Sequence, residues 1–250
     1  MPTFLDLFAG AGGLSEGFTR AGFTPVAHVE MDRAACNTLR TRETFHWLDG
    51  HGLRSVYDSY LRGEITRGEL YSRVPADILA RVIEKTIGDD TMDSIFQEIN
   101  ALRNGSGIDY VIGGPPCQAY SLAGRARDAH GMRGDPRNYL YRYYARFLER
   151  FRPRYFVFEN VLGLRTATDW DGVRYFDKMK ALFEDKGYAV HFRELNAKDY
   201  GIPQNRHRII LVGKLGADDE EFFPNLTKHP ADVPVSRLLA DLPKLHAGEG

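Results

Sequence analysis

Six short apolar runs, rich in β-branched and aromatic residues, recur along this 250-residue chain, and amphipathic stretches separate most of them. The runs are TFLDLF, PVAHVE, DYVIGG, RYFVFEN, YAVHFREL and RIILVG. Runs of this kind are typical of buried strands, and their alternation with helical periodicity is typical of a parallel sheet covered by helices. The pattern therefore predicts an α/β fold, doubly wound around a mostly parallel sheet.

The alternation is interrupted between Glu43 and Gly107. This stretch reads as several short helices without a strong strand signal: SVYDSYLRG, TRGELYSRV, PADILARVIEKTI and MDSIFQEINAL. We interpret it as a helical insertion, about residues 43–107, in the first half of the sheet. We expect one domain over residues 1–250 that carries this insertion.

The overall composition excludes several classes of protein. With a formal net charge of -1, the chain lacks the excess of basic residues that marks many nucleic-acid binders. The chain does not start with a basic stretch followed by an apolar one, and no later run approaches the roughly 18 apolar residues that span a bilayer. Two cysteines without a CxxC pattern or a Cys/His cluster indicate neither a disulfide framework nor a zinc site. We therefore expect a cytoplasmic protein without a membrane segment or a bound metal.

Positive charge is concentrated in one segment. Between Gly124 and Arg154, nine arginines and three acidic residues give a net charge of +6. Such a segment suits phosphate groups. A solvated helix face, with arginine stems lying on apolar neighbours, explains the helical part equally well. The sequence alone leaves both interpretations open.

The first predicted strand runs into the glycine-rich sequence FAGAGG, and a helix follows. Gly10 and Gly12 fall where the backbone turns, and Glu30 closes the second predicted strand. In doubly wound folds such glycines let the backbone approach a ligand, and an acid at this strand end binds ribose hydroxyls. The spacing differs from the GxGxxG fingerprint, so an ordinary turn and a solvated carboxylate are the alternatives. We expect a nucleotide-like ligand here.

The most informative segment is DYVIGGPPCQAYS, in which an apolar strand ends in two glycines, two prolines and Cys117. Open α/β sheets bind ligands at the carboxyl ends of parallel strands, and a thiol there is a strong nucleophile once nearby cations favour the thiolate. Cys36 instead lies in the helical sequence DRAACNTLR, which favours a small buried core residue. The two cysteines therefore receive different predicted roles.

Two further polar features are predicted at the same edge of the sheet. Glu159 ends the strand YFVFEN, where apolar surroundings would let its carboxyl group hold or donate a proton, although capping the following turn is the alternative. Arg206 and Arg208 lead into the strand RIILVG and project from one face at a period of two. Paired guanidinium groups suit carboxylates, carbonyls or phosphates, and surface salt bridges also use them.

In this order, FLDLFAGAGG, HVEMD, GGPPCQAYS, FVFENV and YGIPQNRHRIILVG resemble the successive motifs of the C5-cytosine DNA methyltransferase family. The resemblance covers most of residues 3–213, and the pair PPCQ and ENV is highly specific. DNA methyltransferases that modify amino groups usually carry an aromatic residue after the two prolines, because an exocyclic nitrogen needs no covalent activation. The resemblance implies a Rossmann-like, S-adenosylmethionine-dependent methyltransferase domain over residues 1–250.

The resemblance also implies a role for each matching residue. Cys117 would add to C6 of a flipped-out cytosine, and Glu159 would interact with N3 of the activated ring. Arg208 would hold the carbonyl edge of the base, and Arg206 would help to order the same pocket. The residues implied at the S-adenosylmethionine site are Phe8, Gly10, Gly12, Glu30, Met31, Pro116 and Leu140, with Asp89 at the adenine amino group. The residues implied to contact DNA are Gln118, Ser121, Arg125 and Arg127.

The resemblance weakens toward the end of the sequence. Within 214–250, VSRLLADLP resembles the helix that precedes the family's target-recognition region, and that region and the last motifs do not follow. We therefore expect weak duplex DNA binding by this chain and dependence on a second subunit or a further C-terminal region; nanomolar binding at physiological salt would contradict this.

Three hypotheses on function follow from the resemblance. The first is cytosine-5 methylation of DNA, with S-adenosylmethionine as cofactor, in a bacterial restriction-modification or similar setting. The second is methylation of a transfer RNA, because one branch of the family carries the same motifs on an RNA substrate. The third is a non-catalytic module or remnant that keeps the cofactor fold, which the intact Cys117, Glu159 and Arg208 oppose.

Overall fold

The computed structural model describes residues 1–116, 135–216, 222–230 and 233–243. Within these residues, one seven-stranded sheet has the order β3-β2-β1-β4-β5-β7-β6. The strands are β1 (Thr3–Leu7), β2 (Thr24–Glu30), β3 (Val82–Glu84), β4 (Tyr110–Gly113), β5 (Tyr155–Asn160), β6 (Tyr188–Asn196) and β7 (His207–Leu215). Strands β1 to β5 pair in parallel, whereas β7 lies antiparallel between β5 and β6. The predicted α/β fold and all six predicted strands are confirmed.

Helices connect the strands and cover the sheet. They are α1 (Gly13–Arg20), α2 (Arg33–Gly50), α3 (Arg54–Leu61), α4 (Arg67–Tyr71), α5 (Ala76–Ala80), α6 (Met92–Arg103), α7 (Leu140–Phe151), α8 (Tyr175–Asp185) and α9 (Val235–Leu238). Short 3-10 helices span Pro136–Tyr139, Leu162–Arg165 and Ala197–Asp199. No helix within the described residues is long and apolar enough to cross a membrane.

Aromatic side chains dominate the core between β5 and the helices. Phe156 and Phe158 point to the same side of β5 and are fully buried against Tyr144 and Phe183. On the neighbouring strand, a Cβ added to Gly213 would lie 1.8 Å from a ring carbon of Phe156. A glycine is therefore required at this position, because any side chain would displace the Phe156 ring. Each buried ring contributes roughly 2–3 kcal/mol through the hydrophobic effect, and this packing anchors β7.

The region predicted as one helical insertion is divided by a strand. Residues 82–84, which the sequence analysis assigned to a helix, form β3 and pair in parallel with β2. This three-residue strand is too short to show a period-two pattern, so its sequence could not separate it from the preceding helical residues. Helices α3 to α5 pack on the second half of α2 through Leu48, Leu70, Val74 and Ile78. The domain expectation of a helical insertion over residues 43–107 stays a prediction; helices α3 to α6 and strand β3 lie within that range.

A chain of polar side chains runs through the core beside β1 and β2. Ser15 Oγ donates to Asp6 Oδ2 and lies 3.0 Å from His28 Nδ1. The other ring nitrogen of His28 lies 3.3 Å from Glu43 Oε1, and Arg81 Nη1 donates to Glu43 Oε2 at 3.1 Å. Burial raises the pKa of Asp6 to about 6, because His28 and Ser15 only partly offset the loss of solvent. This series of polar contacts connects α1 to β1 and α2 to β2, and the ends of these two strands contribute to the site.

Cys36 lies in α2, as predicted, and packs with Leu39 and Val82. Its side chain is fully buried, and burial raises the pKa of its thiol to about 11. A thiol with such a pKa remains protonated and unreactive at neutral pH. The prediction of a structural cysteine is confirmed.

Candidate active site

A cavity of about 280 Å³ opens at the carboxyl ends of β1, β2 and β3. Its lining residues are Phe8, Gly10, Val29, Glu30, Met31, Lys85, Thr86, Ile87, Gly114, Pro116 and Leu140. The walls are mostly apolar, and Glu30 is the acidic group among these residues. Residues assigned to the cofactor from the sequence thus meet around one cavity, namely Phe8, Gly10, Glu30, Met31, Pro116 and Leu140.

The loop after β1 adopts an unusual backbone conformation. Phe8, Gly10 and Gly12 have φ angles of 56°, 55° and 85°. Positive φ values are rare for a residue such as phenylalanine, and such strain concentrates where a loop approaches a ligand. Gly12 does not line the cavity; a Cβ there would lie 2.7 Å from Leu39 Cδ2, so this glycine allows close packing on α2.

Backbone N–H groups hold the carboxylate of Glu30 at the end of β2. Gly10 N donates to Glu30 Oε2 at 2.8 Å, and Met31 N and Asp32 N donate to Glu30 Oε1 at 2.8 Å each. Because a carboxylate accepts about four hydrogen bonds, roughly one acceptor site remains for a ligand hydroxyl. Glu30 therefore both fixes the glycine-rich loop and presents an acceptor to the cavity.

The end of β3 contributes lining residues that the sequence analysis missed. Lys85 reaches the cavity wall, but its Nζ donates to Ser94 Oγ at 2.9 Å and also to Glu98 Oε1. Thr86 and Ile87 follow it on the same wall. Identifying β3 in the sequence would have located these residues, because the carboxyl ends of parallel strands bind ligands in such sheets.

The structure does not bring Asp89 to this cavity. Asp89 lines a neighbouring hollow of about 530 Å³, which shares Ile87 and Leu140 with the cavity. Its carboxylate accepts hydrogen bonds from the Tyr143 hydroxyl at 3.0 Å and from Arg146 Nη1 at 2.9 Å. The carboxylate is thus engaged outside the cavity, and contact between Asp89 and a cofactor amino group stays a prediction.

A second carboxylate, that of Glu159, lies at the end of β5. Arg208 Nε donates to Glu159 Oε1 at 2.6 Å, and Arg206 Nη2 lies 3.6 Å from the same oxygen. The side chain of Glu159 is 27% exposed. The expectation of apolar surroundings for Glu159 is wrong, because β7 runs antiparallel beside β5 and places both guanidinium groups against it.

Gly114 lies between the two carboxylate sites. It lines the cavity, and a Cβ there would lie 2.7 Å from Glu159 Oε2 and 2.9 Å from the Glu159 carbonyl oxygen. The neighbouring Asn160 is fully buried; its Nδ2 donates to the Pro115 carbonyl at 3.3 Å, and its Oδ1 accepts from Val161 N. These contacts hold the glycine-proline segment against β5, so Glu159 and the cavity lie on either side of a residue without a side chain.

Asn196 fixes the start of β7. Its Oδ1 accepts from Arg206 N at 3.0 Å and from Lys198 N at 3.3 Å, and its Nδ2 donates to Asn205 Oδ1 at 2.8 Å. The Ala197 N–H also donates to the Arg206 carbonyl at 3.0 Å. The backbone that carries Arg206 is therefore held from the end of β6, a role that no motif indicated.

Several predicted site residues lie outside the described residues: Cys117, Gln118, Ser121, Arg125 and Arg127. Pro116, which precedes Cys117, lines the cavity. In the helical part of the arginine-rich segment, the Arg142 guanidinium lies 4.6 Å from the Tyr139 ring centre and Arg146 pairs with Asp89. These contacts favour the solvated-face interpretation for that helix.

The fold and the site define an α/β protein of the S-adenosylmethionine-dependent methyltransferase type. The sheet order, the glycine-rich turn after β1 and the acidic residue at the end of β2 are all characteristic of that type.

Comparison with known proteins identifies the family. The sequence matches the family described as C-5 cytosine-specific DNA methylase over residues 2–54 and 78–245. The unmatched stretch, 55–77, coincides with most of α3, with α4 and with the start of α5. The chain belongs to the C-5 cytosine-specific DNA methylase family.

Individual relatives agree with this assignment. The Type II methyltransferase M.Bpa9945I of Bacillus paralicheniformis is 35% identical over 98% of this chain and 62% of its own length. The Type II methyltransferase M.AquIA of Picosynechococcus sp. is 33% identical over 91% of this chain and 77% of its own length. The crystal structure of a prophage-encoded DNA modification methyltransferase from E. coli superposes with a TM-score of 0.59 and 25% identity, over 98% of this chain and 56% of that one. The chain thus spans 62% of M.Bpa9945I and 56% of the E. coli protein.

Proposed function

We propose that this chain transfers a methyl group from S-adenosylmethionine to C5 of cytosine in DNA. The observation that carries the proposal is the contact of Glu159 with Arg208 and Arg206 beside Gly114, at the sheet edge that also holds the cavity. A carboxylate and two guanidinium groups there suit a base ring that offers a ring nitrogen and a carbonyl oxygen.

The cavity fits the cofactor that the family uses. Its apolar walls suit an adenine ring, and the remaining acceptor site of Glu30 suits a ribose hydroxyl. When bound, S-adenosylmethionine supplies an electrophilic methyl group. Phe8, Pro116 and Leu140 would contribute an apolar wall that keeps water away from the bound cofactor.

The roles of the protein residues follow from the chemistry of cytosine. C5 is a weak nucleophile until the Cys117 thiolate adds to C6 and places electron density on C5. Glu159 contacts the N3 side of the ring during this addition, and Arg208 holds the carbonyl oxygen. After methylation, water takes the C5 proton, the C5–C6 double bond forms again, and the C6–S bond breaks to release the Cys117 thiolate. The base must leave the duplex for this attack, at a cost of a few kcal/mol for unstacking.

Target recognition is the part of the proposed function that we assign to residues outside this sequence. The chain spans 62% of M.Bpa9945I and 56% of the E. coli protein, so we propose that a second subunit or a further C-terminal region reads the DNA sequence. The chain covers a larger share, 77%, of M.AquIA. A restriction-modification setting is proposed from the Type II relatives.

Methyl transfer from labelled S-adenosylmethionine tests the proposal. Duplex DNA of mixed sequence and folded tRNA serve as parallel substrates, each with and without a chain that supplies a recognition region, and Cys117→Ala is the control. Transfer to DNA that is lost in Cys117→Ala supports the proposal. Transfer to tRNA alone would replace the proposed substrate, and cofactor binding without transfer to either substrate would favour a non-catalytic module.

A further inference from the structure

A buried carboxylate outside the two sites described above contacts the residue that precedes Leu140 in the cavity wall. Asp169 lies in the turn between β5 and α8, and its side chain is 6% exposed. Its Oδ1 accepts from the Tyr139 hydroxyl at 2.8 Å, from the Tyr175 hydroxyl at 3.1 Å and from Trp170 N at 2.8 Å. Lys178 Nζ donates to Oδ2 at 2.6 Å.

These bonds make Asp169 an ionised anchor in the folded protein. Burial opposes ionisation, but the hydrogen bonds from Lys178, Tyr139, Trp170 and Tyr175 outweigh it and hold the pKa of Asp169 well below its usual range. Hydrogen bonds to a charged acceptor are roughly twice as strong as those between neutral groups. The turn is itself closed, because Asp169 N donates to the Val173 carbonyl at 2.9 Å.

Tyr139 is the residue through which this anchor reaches the cavity. Its hydroxyl is bound by Asp169, its ring packs edge-on against Tyr175 at 5.8 Å, and the guanidinium of Arg142 lies 4.6 Å from its ring centre. The next residue, Leu140, begins α7 and lines both the cavity and the neighbouring hollow. Leu140 is therefore part of the boundary between the two spaces, and it follows Tyr139 directly in the chain.

We propose that Asp169 and Tyr139 are positioning residues for the cofactor, because together they hold Leu140 against the cavity. The inference rests on the proposed function, since it assumes that S-adenosylmethionine binds in this cavity. It adds residues that line no part of that cavity, and one of them lies in a turn that no motif marks. Asn138 strengthens the arrangement: it is 1% exposed, and its Nδ2 donates to the Tyr175 hydroxyl at 3.3 Å.

The test is the affinity for S-adenosylmethionine, measured by titration calorimetry on the full chain without DNA. Tyr139→Phe removes one hydroxyl and should weaken binding about fivefold, which corresponds to about 1 kcal/mol of a hydrogen bond. Leu140→Ala should weaken binding as well. If Tyr139 acts through Leu140, the double variant binds no more weakly than Leu140→Ala alone, whereas additive losses would overturn the inference.

A variant matched for stability separates positioning from general weakening of the fold. Tyr188→Phe also removes a buried hydroxyl, which donates to the Pro153 carbonyl at 2.9 Å away from the cavity. It should lower the thermal midpoint about as much as Tyr139→Phe and leave the affinity for S-adenosylmethionine unchanged. Equal loss of affinity in both variants contradicts the inference, as does unchanged affinity in Tyr139→Phe. Failure of the wild-type chain to bind S-adenosylmethionine would instead refute the proposed cofactor, and this inference with it.

Discussion

The two carboxylates at the carboxyl ends of β2 and β5 are held in different ways. Glu30 accepts hydrogen bonds from the backbone N–H groups of Gly10, Met31 and Asp32, whereas guanidinium groups of Arg206 and Arg208 contact Glu159. Backbone donors are fixed by the fold, but long side chains can exchange one partner for another. Glu30 therefore belongs to the scaffold of the cavity, and Glu159 to a polar group that could rearrange around the proposed cytosine substrate.

The sharpest test of this difference is Glu159→Gln. The amide keeps the size of the side chain but removes the charge that Arg208 contacts, and positioned acid-base groups contribute about 10²–10⁴-fold to a rate. Single-turnover methyl transfer should fall by about 10³-fold, while the affinity for S-adenosylmethionine stays unchanged. A large loss of cofactor affinity would show that the two sites are not separable.

Asp6, which lies in β1, should make the free energy of unfolding depend on pH. Its pKa is raised from 3.8 to about 6, so the folded state binds more protons than the unfolded state between these values, and stability falls as the pH rises through them. The expected loss is about 3 kcal/mol at neutral pH, taken from the size of this shift. Unfolding by urea at pH 4 and pH 7 should show it in the wild type.

Asp6→Asn serves as the reference for that measurement, because it removes the titrating group and keeps an acceptor for Ser15. The difference in free energy of unfolding between wild type and Asp6→Asn should then change with pH, while contributions from other groups such as Glu43 cancel. A difference that is constant from pH 4 to pH 7 would mean that the Asp6 carboxyl group titrates normally.

Glu30→Gln tests the scaffold side of the comparison. An amide nitrogen cannot accept from a backbone N–H, so at least one of the contacts to Gly10, Met31 and Asp32 is lost. A hydrogen bond to a charged acceptor contributes about 1.5–3 kcal/mol, so we expect a decrease of about 30-fold in cofactor affinity by calorimetry. Methyl transfer at saturating cofactor should be nearly normal. A rate defect that saturation does not relieve would give Glu30 a part in the chemical step.

Asn196 offers the smallest and most selective effect. Asn196→Ala removes the acceptor for Arg206 N and Lys198 N, whereas Asn196→Asp keeps both acceptor bonds. We expect about a tenfold lower kcat for the alanine variant, or roughly 1.4 kcal/mol, and a much smaller loss for aspartate. Equal defects in the two variants would indicate that the backbone contacts to β7 do not position the arginines.

The sequence predicted the features that depend on residues close to one another in the chain. The strands of the parallel sheet, the structural role of Cys36 and the meeting of Glu30 with the glycine-rich loop all follow from periodicity and from strand-end rules. Strand β3 was missed because three residues are too few to display a period of two. The lining residues Lys85, Thr86 and Ile87, which follow β3, were missed for the same reason.

Contacts between distant segments could not be predicted in this way. The surroundings of Glu159 depend on β7 entering the sheet antiparallel beside β5, and strand direction is not visible in the residues of either strand. The contact between Asp169 and Tyr139 joins side chains that are 30 positions apart and share no motif. Such partners are determined by packing, which the order of residues along the chain does not reveal.

The reversed direction of β7 has a consequence for how this fold tolerates length changes. The strand begins at His207, beside the carboxyl end of β5, and ends at Leu215, beside the start of β5. One residue added between Arg208 and Gly213, with the pairing of Gly213 to Phe156 retained, would turn Arg208 to the other face of the sheet. One residue added after Leu215 would leave that register untouched. Insertions and deletions during evolution or engineering should therefore accumulate beyond the end of β7 and be excluded from its start.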